Sequence, residues 1–179
     1  MSKNDDNPGP NGAGQPLQDR IAAIFPGGLP NIYRMISRNQ RVMNGIVSMK
    51  EEIAEGTLTE AERSLVALEV ANHCECSYCT AALSHYSVHD LGMSQDVITA
   101  VTDGVMPGEE RLDLVISAAR QMIQHRGKLS RVELAQLQDR GLAFSELLEI
   151  IAVIGEYTIA TYAANMDRTR IDPEYRPDP

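Results

Sequence analysis

Three cysteines and two histidines fall within fourteen residues of the chain, in the segment NHCECSYCTAALSH that spans Asn72–His85. Cys76 and Cys79 have the C-x-x-C spacing, which lets two thiols meet across one helical turn and so suits reversible disulfide chemistry. The reactive form is the thiolate, and its pKa falls where a cysteine lies at a helix N-terminus, next to free amide groups and the positive end of the helix dipole. We therefore predict a redox pair, with Cys76 at the N-cap of a helix and Cys79 in its first turn.

The same segment is open to two other interpretations. Buried cysteines often act only as small apolar side chains. The pattern H-C-x-C-x-x-C could also hold zinc or an iron–sulfur cluster, but closed metal sites usually draw ligands from two separated knuckles, and the sequence has no second one. We therefore predict no metal and no other cofactor. Cys74 is either a third redox partner or a neighbour without a role.

Activation of a thiol requires a group that accepts its proton, and two histidines lie nearest in the sequence. His73 is three residues before Cys76 and reaches it if the intervening turn folds inward, although solvent exposure is the commoner outcome. His85 is six residues after Cys79. That separation is about 240° around a helix, so His85 points away unless the backbone is distorted. The remaining histidines are interpreted as surface residues: His89 and His125.

Two carboxylates and one phenol are further candidates for the proton relay. Glu69 is seven residues before Cys76 and shares its face if the helix is continuous. Glu62 is fourteen residues before Cys76, but a capping role at the start of its helix already explains it. Tyr86 is seven residues after Cys79, which places it back on the cysteine face.

Helical periodicity, rather than strand alternation, runs from about Pro30 to Met166. Capping boxes that begin at Thr59 and Ser130, and glycines at the ends of several segments, mark helix boundaries. The sequence therefore predicts an all-α single domain. The predicted helices cover residues 31–37, 39–55, 59 to about 72, 77–91, 94–103, 109–126, 130 to about 140, and 145–166.

The last of these segments, residues 145–166, is the longest and the most apolar. Apolar residues cover nearly its whole circumference, so we expect it to be buried in the core or at a subunit interface, which favours an oligomer. The closest approach to a membrane span is the window 147–164. Glu149 and Glu156 interrupt that window, so no membrane association is predicted.

Charge and chain termini bear on the remaining classes of function. The formal net charge is −9, whereas nucleic-acid binding needs a basic face. Residues 1–17 lack the apolar run of a signal peptide and are predicted to be a disordered leader, with the domain at residues 18–174 and a tail at 175–179. The prolines of the C-terminal sequence DPEYRPDP are expected to prevent a helix. Clustered cysteines do not form a secreted disulfide framework, so a cytoplasmic protein is predicted.

Residues 58–82, LTEAERSLVALEVANHCECSYCTAA, resemble the signature of the carboxymuconolactone decarboxylase/AhpD-like family. That signature is a glutamate, eleven residues, C-x-x-C, three residues and a histidine. The flanking segments resemble the family's lead-in helix pair, its G-L-S-x-E-x-I segment and its closing helix. The resemblance therefore extends over about residues 29–166.

The resemblance implies an AhpD-like bundle of about seven to eight helices and a thiol peroxidase or disulfide oxidoreductase acting on organic hydroperoxides. The family uses its second cysteine to attack the peroxide. Cys79 would then be the attacking thiolate and Cys76 the resolving thiol, with electrons from a dithiol reductant protein. The resemblance also implies a homotrimer or a hexamer.

Two positions depart from the family pattern. Ser64 lies twelve residues before Cys76, where the family has its catalytic glutamate, and Leu83 lies four residues after Cys79, where the family has its catalytic histidine. Both thiols are kept and both relay groups are lost, which predicts an atypical proton relay. The alternatives are a carboxymuconolactone decarboxylase-type lyase and a non-catalytic redox-sensing or assembly protein on the same scaffold.

Overall fold

Nine α-helices, one 3₁₀ turn and no β-strand make up residues 15–176, the part of the chain that the computed structural model describes. The predicted all-α fold is therefore confirmed. Most of the leader and tail predicted for residues 1–17 and 175–179 lies outside this described part. The helices are α1 (Leu17–Ile24), α2 (Asn31–Ile36), α3 (Gln40–Ala54), α4 (Glu60–His73), α5 (Ser77–His89), α6 (Gln95–Thr102), α7 (Glu110–His125), α8 (Arg131–Asp139) and α9 (Phe144–Asp167).

Helix boundaries follow the local signals of the sequence. Thr59 and Glu62 form a reciprocal capping box at the start of α4, and Ser130 and Glu133 form a second one at the start of α8. Ser94 caps α6 by accepting a hydrogen bond from the backbone N–H of Asp96. As a result, the helices from α2 to α9 begin and end within a few residues of their predicted positions.

The first helix lies before Pro30, where the predicted helical periodicity begins, and was missed although Leu17, Ile21 and Ile24 have helical spacing. α1 has only eight residues and no capping side chain, so its local signals are weak. It is held instead by the buried guanidinium of Arg20, which donates hydrogen bonds to three side chains of α3. These partners are Glu51 Oε1 at 2.9 Å, Asn44 Oδ1 at 2.9 Å and Ser48 Oγ at 2.8 Å.

The core is built around α4, which packs against α5, α6, α7 and α9. Its side chains Leu65, Val66 and Leu68 have no exposed surface. Because α4 is surrounded on all sides, the short turn that joins it to α5 is anchored in the core at both ends. The cysteine segment lies at that turn.

The last helix, α9, has two apolar faces. By length and composition alone it could cross a membrane, with a mean hydropathy of 1.4 over eighteen residues, of which 39% are buried within the protein. A core helix meets the same criterion, and α9 packs its inner face along α4. Its outer face is exposed and includes Phe144, Leu148, Ile151, Ile159, Tyr162 and Met166.

One carboxylate of α9 holds the loop between α3 and α4. Glu149 Oε2 accepts hydrogen bonds from the backbone N–H groups of Thr57 (2.8 Å) and Leu58 (2.9 Å), and Oε1 accepts one from the Thr57 hydroxyl (2.9 Å). A Cβ at Gly56 would lie 2.5 Å from Glu149 Oε2, so a side chain at this position would displace the carboxylate from its hydrogen bonds. Partial burial raises the pKa of the Glu149 carboxyl, but these hydrogen bonds lower it by more, so the pKa lies below its ordinary value.

We predict that Glu149→Gln lowers the free energy of unfolding at neutral pH by about 1–3 kcal/mol, because hydrogen bonds to a charged acceptor are replaced by weaker ones. A depressed carboxyl pKa stabilises the fold above the ordinary value of 4.5 and loses that contribution as the pH falls through the folded pKa. The difference between variant and wild type should therefore shrink in acid. Urea unfolding at neutral and acidic pH measures it, with the exposed Glu52→Gln as control. A difference that is constant with pH would contradict the assignment.

Candidate functional site

The two cysteines of the C-x-x-C pair lie where α4 ends and α5 begins. Glu75 adopts a left-handed conformation with φ of 50°, and the backbone N–H of Cys76 donates to Ala71 O at 2.9 Å, which closes α4 in a Schellman-type turn. Cys76 is at the same time the N-cap of α5, and its Sγ accepts a hydrogen bond from the backbone N–H of Cys79 at 3.4 Å. The predicted positions at the N-cap and in the first turn are therefore confirmed.

The two thiols of this pair differ in their pKa. Hydrogen bonding from the Cys79 thiol lowers the pKa of Cys76 to about 7, burial opposes this shift, and the backbone N–H groups of Cys79 and Tyr78 add to it. The same hydrogen bond to Cys76, together with burial and the nearby charge, raises the pKa of Cys79 above its ordinary range. In the reduced pair the negative charge therefore lies on Cys76 and the proton on Cys79.

An open cavity of about 1300 Å³ lies beside the thiol pair. Cys79 is part of its wall and is 5% exposed, whereas Cys76 is not part of the wall and is 1% exposed. Ser64 and Leu83 are part of the same wall, and the Ser64 hydroxyl lies 2.7 Å from that of Ser87. The two positions at which the resembling family has its glutamate and histidine thus face the same cavity as Cys79.

Three of the relay candidates from the sequence lie away from this cavity. Glu69 is paired with Arg120, which donates to both carboxylate oxygens at 2.6 and 2.9 Å. Glu62 accepts hydrogen bonds from Thr59 and is ion-paired with Arg111. His73 is exposed at the end of α4. These placements give the two carboxylates structural roles in helix capping and in the packing of α4 on α7.

The other two candidates, His85 and Tyr86, do line the cavity. The Tyr86 hydroxyl donates a hydrogen bond to the Glu60 carboxylate. The His85 ring lies between those of His89 and Tyr175, with centroid distances of 4.3 and 5.4 Å. Since the cavity is large, lining it does not by itself place either group at Cys79.

A polar cluster in the cavity wall was missed by sequence reasoning. It consists of Lys50 from α3, Glu156 and Tyr157 from α9, and Tyr33 from α2. Lys50 Nζ lies 2.6 Å from Glu156 Oε1 and donates to the Tyr157 hydroxyl at 3.4 Å. The one available signal was Glu156, a charge inside an apolar helix, which was interpreted only as an interruption of a membrane span.

The C-terminal segment closes over the start of α5. Tyr78 lies between the two cysteines in the sequence, and its hydroxyl donates a hydrogen bond to Oδ2 of the buried Asp172 at 2.6 Å. Asp172 also accepts a hydrogen bond from the backbone N–H of Asn31. Pro173 then begins a single 3₁₀ turn. This turn corrects the expectation that the prolines prevent any helix, because proline at a first helical position loses no hydrogen bond. Tyr175, assigned to the tail, lines the cavity.

All three cysteines are free thiols in the structure. Cys74 is half-buried at the C-cap of α4, and its carbonyl accepts a hydrogen bond from Asn165 Nδ2 at 2.8 Å. Within residues 15–176, no group of three or more histidine, cysteine, aspartate or glutamate side chains is arranged to hold a metal ion. The contacts of Cys74 give it no assigned role in the chemistry.

Comparison with solved structures identifies the class of fold. The chain has the all-helical AhpD-like fold, as its sequence resemblance predicted. No protein-family profile matches the sequence, and no curated protein matches it.

Three solved structures illustrate the likeness. An uncharacterized peroxidase-related protein from Silicibacter sp. TM1040 has a TM-score of 0.77 and 20% identity, over 88% of this chain and 85% of that one. An uncharacterized peroxidase-related protein from Ralstonia eutropha JMP134, described as an alkylhydroperoxidase AhpD core, has a TM-score of 0.78 and 16% identity, over 89% of this chain and 86% of that one. The debrominase Bmp8 C82A, in complex with 2,3,4-tribromopyrrole, has a TM-score of 0.73 and 14% identity, over 89% and 87%. Identities of this size establish the fold alone.

We predict that the ultraviolet absorbance of thiolate, followed against pH in a Cys74→Ser background, shows one thiolate forming with a pKa of about 7. Cys76→Ser should abolish this transition. Cys79→Ala should raise its pKa, because the thiol that donates to Cys76 is lost, whereas Cys79→Ser keeps a donor and should raise it less. If the transition persists in Cys76→Ser, the low pKa does not belong to Cys76 and the assignment is wrong.

Proposed function

We propose that this protein is a thiol-dependent peroxidase that reduces organic hydroperoxides through the Cys76–Cys79 pair. The observation that carries the proposal is the placement of the two thiols. Cys79 lies in the wall of an open cavity, and Cys76, whose pKa is about 7, is outside that wall and accepts a hydrogen bond from the backbone N–H of Cys79. A disulfide-forming peroxidase requires an attacking thiol next to the substrate cavity and a second thiol close enough to resolve the sulfenic acid.

The reaction proceeds in three balanced steps. The Cys79 thiolate attacks the terminal oxygen of the hydroperoxide, which leaves Cys79 as a sulfenic acid and releases the alcohol after protonation. Cys76 then attacks the Cys79 sulfur, forming the disulfide and releasing water. A dithiol reductant protein exchanges with the disulfide and restores both thiols.

Before the first step, Cys79 must lose the proton that it shares with Cys76. Cys76 is the nearest acceptor, because its thiolate already accepts the Cys79 thiol hydrogen bond. This transfer places the charge on the thiol with the higher pKa, so it is unfavourable. Ser64 and Leu83 offer no base that would improve it. The proposed peroxidase is therefore slow compared with a site that has both family relay groups.

Single-turnover oxidation tests the proposal. Addition of an alkyl hydroperoxide should remove two thiols and produce a disulfide in the peptide that carries both Cys76 and Cys79. Cys79→Ser should abolish the oxidation, and Cys76→Ser should stop it at a sulfenic acid that a dimedone-type reagent traps. Cys74→Ser serves as the matched control and should react as the wild type does. A disulfide that always includes Cys74 would overturn the assignment of attacking and resolving thiols.

The relay positions give a second prediction. Because Ser64 and Leu83 both line the cavity with Cys79, Ser64→Glu combined with Leu83→His should raise the rate of peroxide turnover, with general-base help worth about 10²–10⁴-fold. Ser87 loses its hydroxyl partner in this variant and burial of two polar groups is unfavourable, so circular dichroism and thermal unfolding are measured alongside. A fast wild-type enzyme, unchanged by the double substitution, would show that another residue already supplies the base.

A redox sensor on the same scaffold is the second candidate. It is favoured by the same observation that makes turnover slow, namely the absence of ionisable groups at residues 64 and 83. Catalytic turnover with an added dithiol distinguishes the two, since a sensor oxidises once and is not recycled efficiently. A lactone-acid lyase ranks lower, because it needs the family-type histidine to move protons.

The proposed assembly is a homotrimer or hexamer that buries the outer face of α9, and the proposed location is the cytoplasm. Six large apolar residues of this face are between 45% and 80% exposed, an apolar stripe that a monomer leaves in water. Leu148→Lys combined with Ile159→Lys should reduce the sedimentation mass to that of one chain. Val105→Lys, which is equally exposed but lies outside α9, should not. A wild-type mass of one chain at micromolar concentration would refute the assembly.

A further inference from the structure

A buried ion pair and a tyrosine, Glu156, Lys50 and Tyr157, form a triad in the wall of the Cys79 cavity. Glu156 is 3% exposed, and its Oε1 lies 2.6 Å from Lys50 Nζ but accepts no hydrogen bond of ordinary geometry. Lys50 Nζ in turn donates to the Tyr157 hydroxyl at 3.4 Å and lies 4.9 Å from the centre of its ring. All three side chains line the cavity.

The surroundings of the triad determine which of its side chains are protonated. Burial lowers the pKa of the Lys50 ammonium, but Tyr157, Tyr33 and the Glu156 carboxylate offset this, so the pKa lies above its ordinary value. Lys50 is therefore protonated at neutral pH. Burial raises the pKa of the Tyr157 hydroxyl, which therefore keeps its proton. The Tyr157 oxygen accepts from Lys50, which leaves its own hydrogen free to donate into the cavity.

Tyr157 and Cys79 belong to one site. Both are in the wall of the same cavity, and the two helices that carry them, α5 and α9, pack against each other. A hydroperoxide with its terminal oxygen at Cys79 Sγ has its second oxygen directed into the cavity. That second oxygen is the atom on which negative charge develops when the O–O bond breaks.

We propose that Tyr157 is the catalytic acid of this site and that Lys50, positioned by Glu156, is the group that returns a proton to it. The inference rests on the proposed peroxidase function and assigns the second half of its first step. A proton donor in the cavity wall suits alkyl hydroperoxides as substrates, because their alkoxide leaving groups are strongly basic and require a proton.

The step balances in atoms and charge. The Cys79 thiolate takes the terminal OH group of the hydroperoxide, and the O–O bond breaks toward the remaining oxygen. The Tyr157 hydroxyl gives its proton to that oxygen, which leaves as an alcohol. Lys50 gives a proton to the Tyr157 oxygen, and solvent later restores the Lys50 ammonium. Neither an additional oxidant nor an additional reductant is required.

Variation of the leaving group tests this assignment. Tyr157→Phe removes one hydroxyl, and single-turnover loss of the Cys79 thiol is measured with tert-butyl hydroperoxide and with 3-chloroperbenzoic acid. The rate with tert-butyl hydroperoxide should fall by about 10²–10⁴-fold, the usual value of general-acid help. The rate with the peracid should not change, because its carboxylate leaving group needs no proton. A merely structural change at Cys79 would slow both oxidants equally.

Two further variants complete the experiment. Tyr162→Phe, on the exposed face of the same helix, is the matched control and should leave both rates unchanged. Lys50→Met combined with Glu156→Leu replaces the ion pair by apolar side chains, so no buried charge is left unpaired. It should slow the reaction of tert-butyl hydroperoxide selectively, and by less than Tyr157→Phe, since the tyrosine proton remains but is not replaced.

The outcomes separate the two proposals. If the wild type loses no thiol with either oxidant, or loses it equally fast in Cys79→Ser, the peroxidase function fails and this inference fails with it. If the wild type reacts but Tyr157→Phe is unaffected, or is slowed equally with both oxidants, the peroxidase function stands and Tyr157 is not its acid. If the double variant of Lys50 and Glu156 has the wild-type ratio of the rates with tert-butyl hydroperoxide and 3-chloroperbenzoic acid, Lys50 does not return a proton to Tyr157.

Discussion

The backbone N–H groups at the start of α5 are the interaction on which the site depends. They add to the hydrogen bond from the Cys79 thiol in stabilising negative charge on Cys76, because Cys76 is the N-cap. Cys76 is the N-cap because Glu75 turns the chain through a left-handed conformation. The same turn lets the N–H of Cys76 close the preceding helix on Ala71. One residue therefore ends α4 and begins α5. Because both helices are packed in the core, the backbone that carries the two thiols is held in place.

A reactive cysteine needs both a stabilised thiolate and access to substrate, and in this site the two properties belong to different residues. The thiol stabilised by the helix N-terminus is enclosed, and the thiol that faces the cavity holds the proton. A base beside Cys79 would remove that mismatch, but Leu83 is apolar and the Ser64 hydroxyl is hydrogen-bonded to another serine. The ionisable groups that line this cavity include a cluster contributed by α3 and α9, outside the α4–α5 pair where the resembling family places its relay.

How much of this could be read from the sequence depends on the distance over which the signals act. Capping boxes, the N-cap position of Cys76 and the helix periodicity are local, and they predicted α2–α9 and the geometry of the thiol pair. α1 depends on Arg20 reaching across to α3, and no local pattern reports such a contact. Glu69 was a reasonable relay candidate on its helical face, but its arginine partner lies 51 residues away. Lys50 is in α3 and Glu156 is in α9, with five helices between them in the sequence, so their pairing could be seen only in the structure.

The ion pair between Lys50 and Glu156 is not explained by stability. Removing two charges from water is costly, and an apolar pair of similar volume is often as stable or more so. Here the cost is increased because Glu156 Oε1 accepts no well-directed hydrogen bond, on a helix whose other inward residues are mainly aliphatic. What the pair does provide is a proton, held beside a tyrosine hydroxyl in the wall of a cavity that also contains a thiol. In the proposed peroxidase, a proton at that place would be given to the oxygen that leaves when the O–O bond breaks.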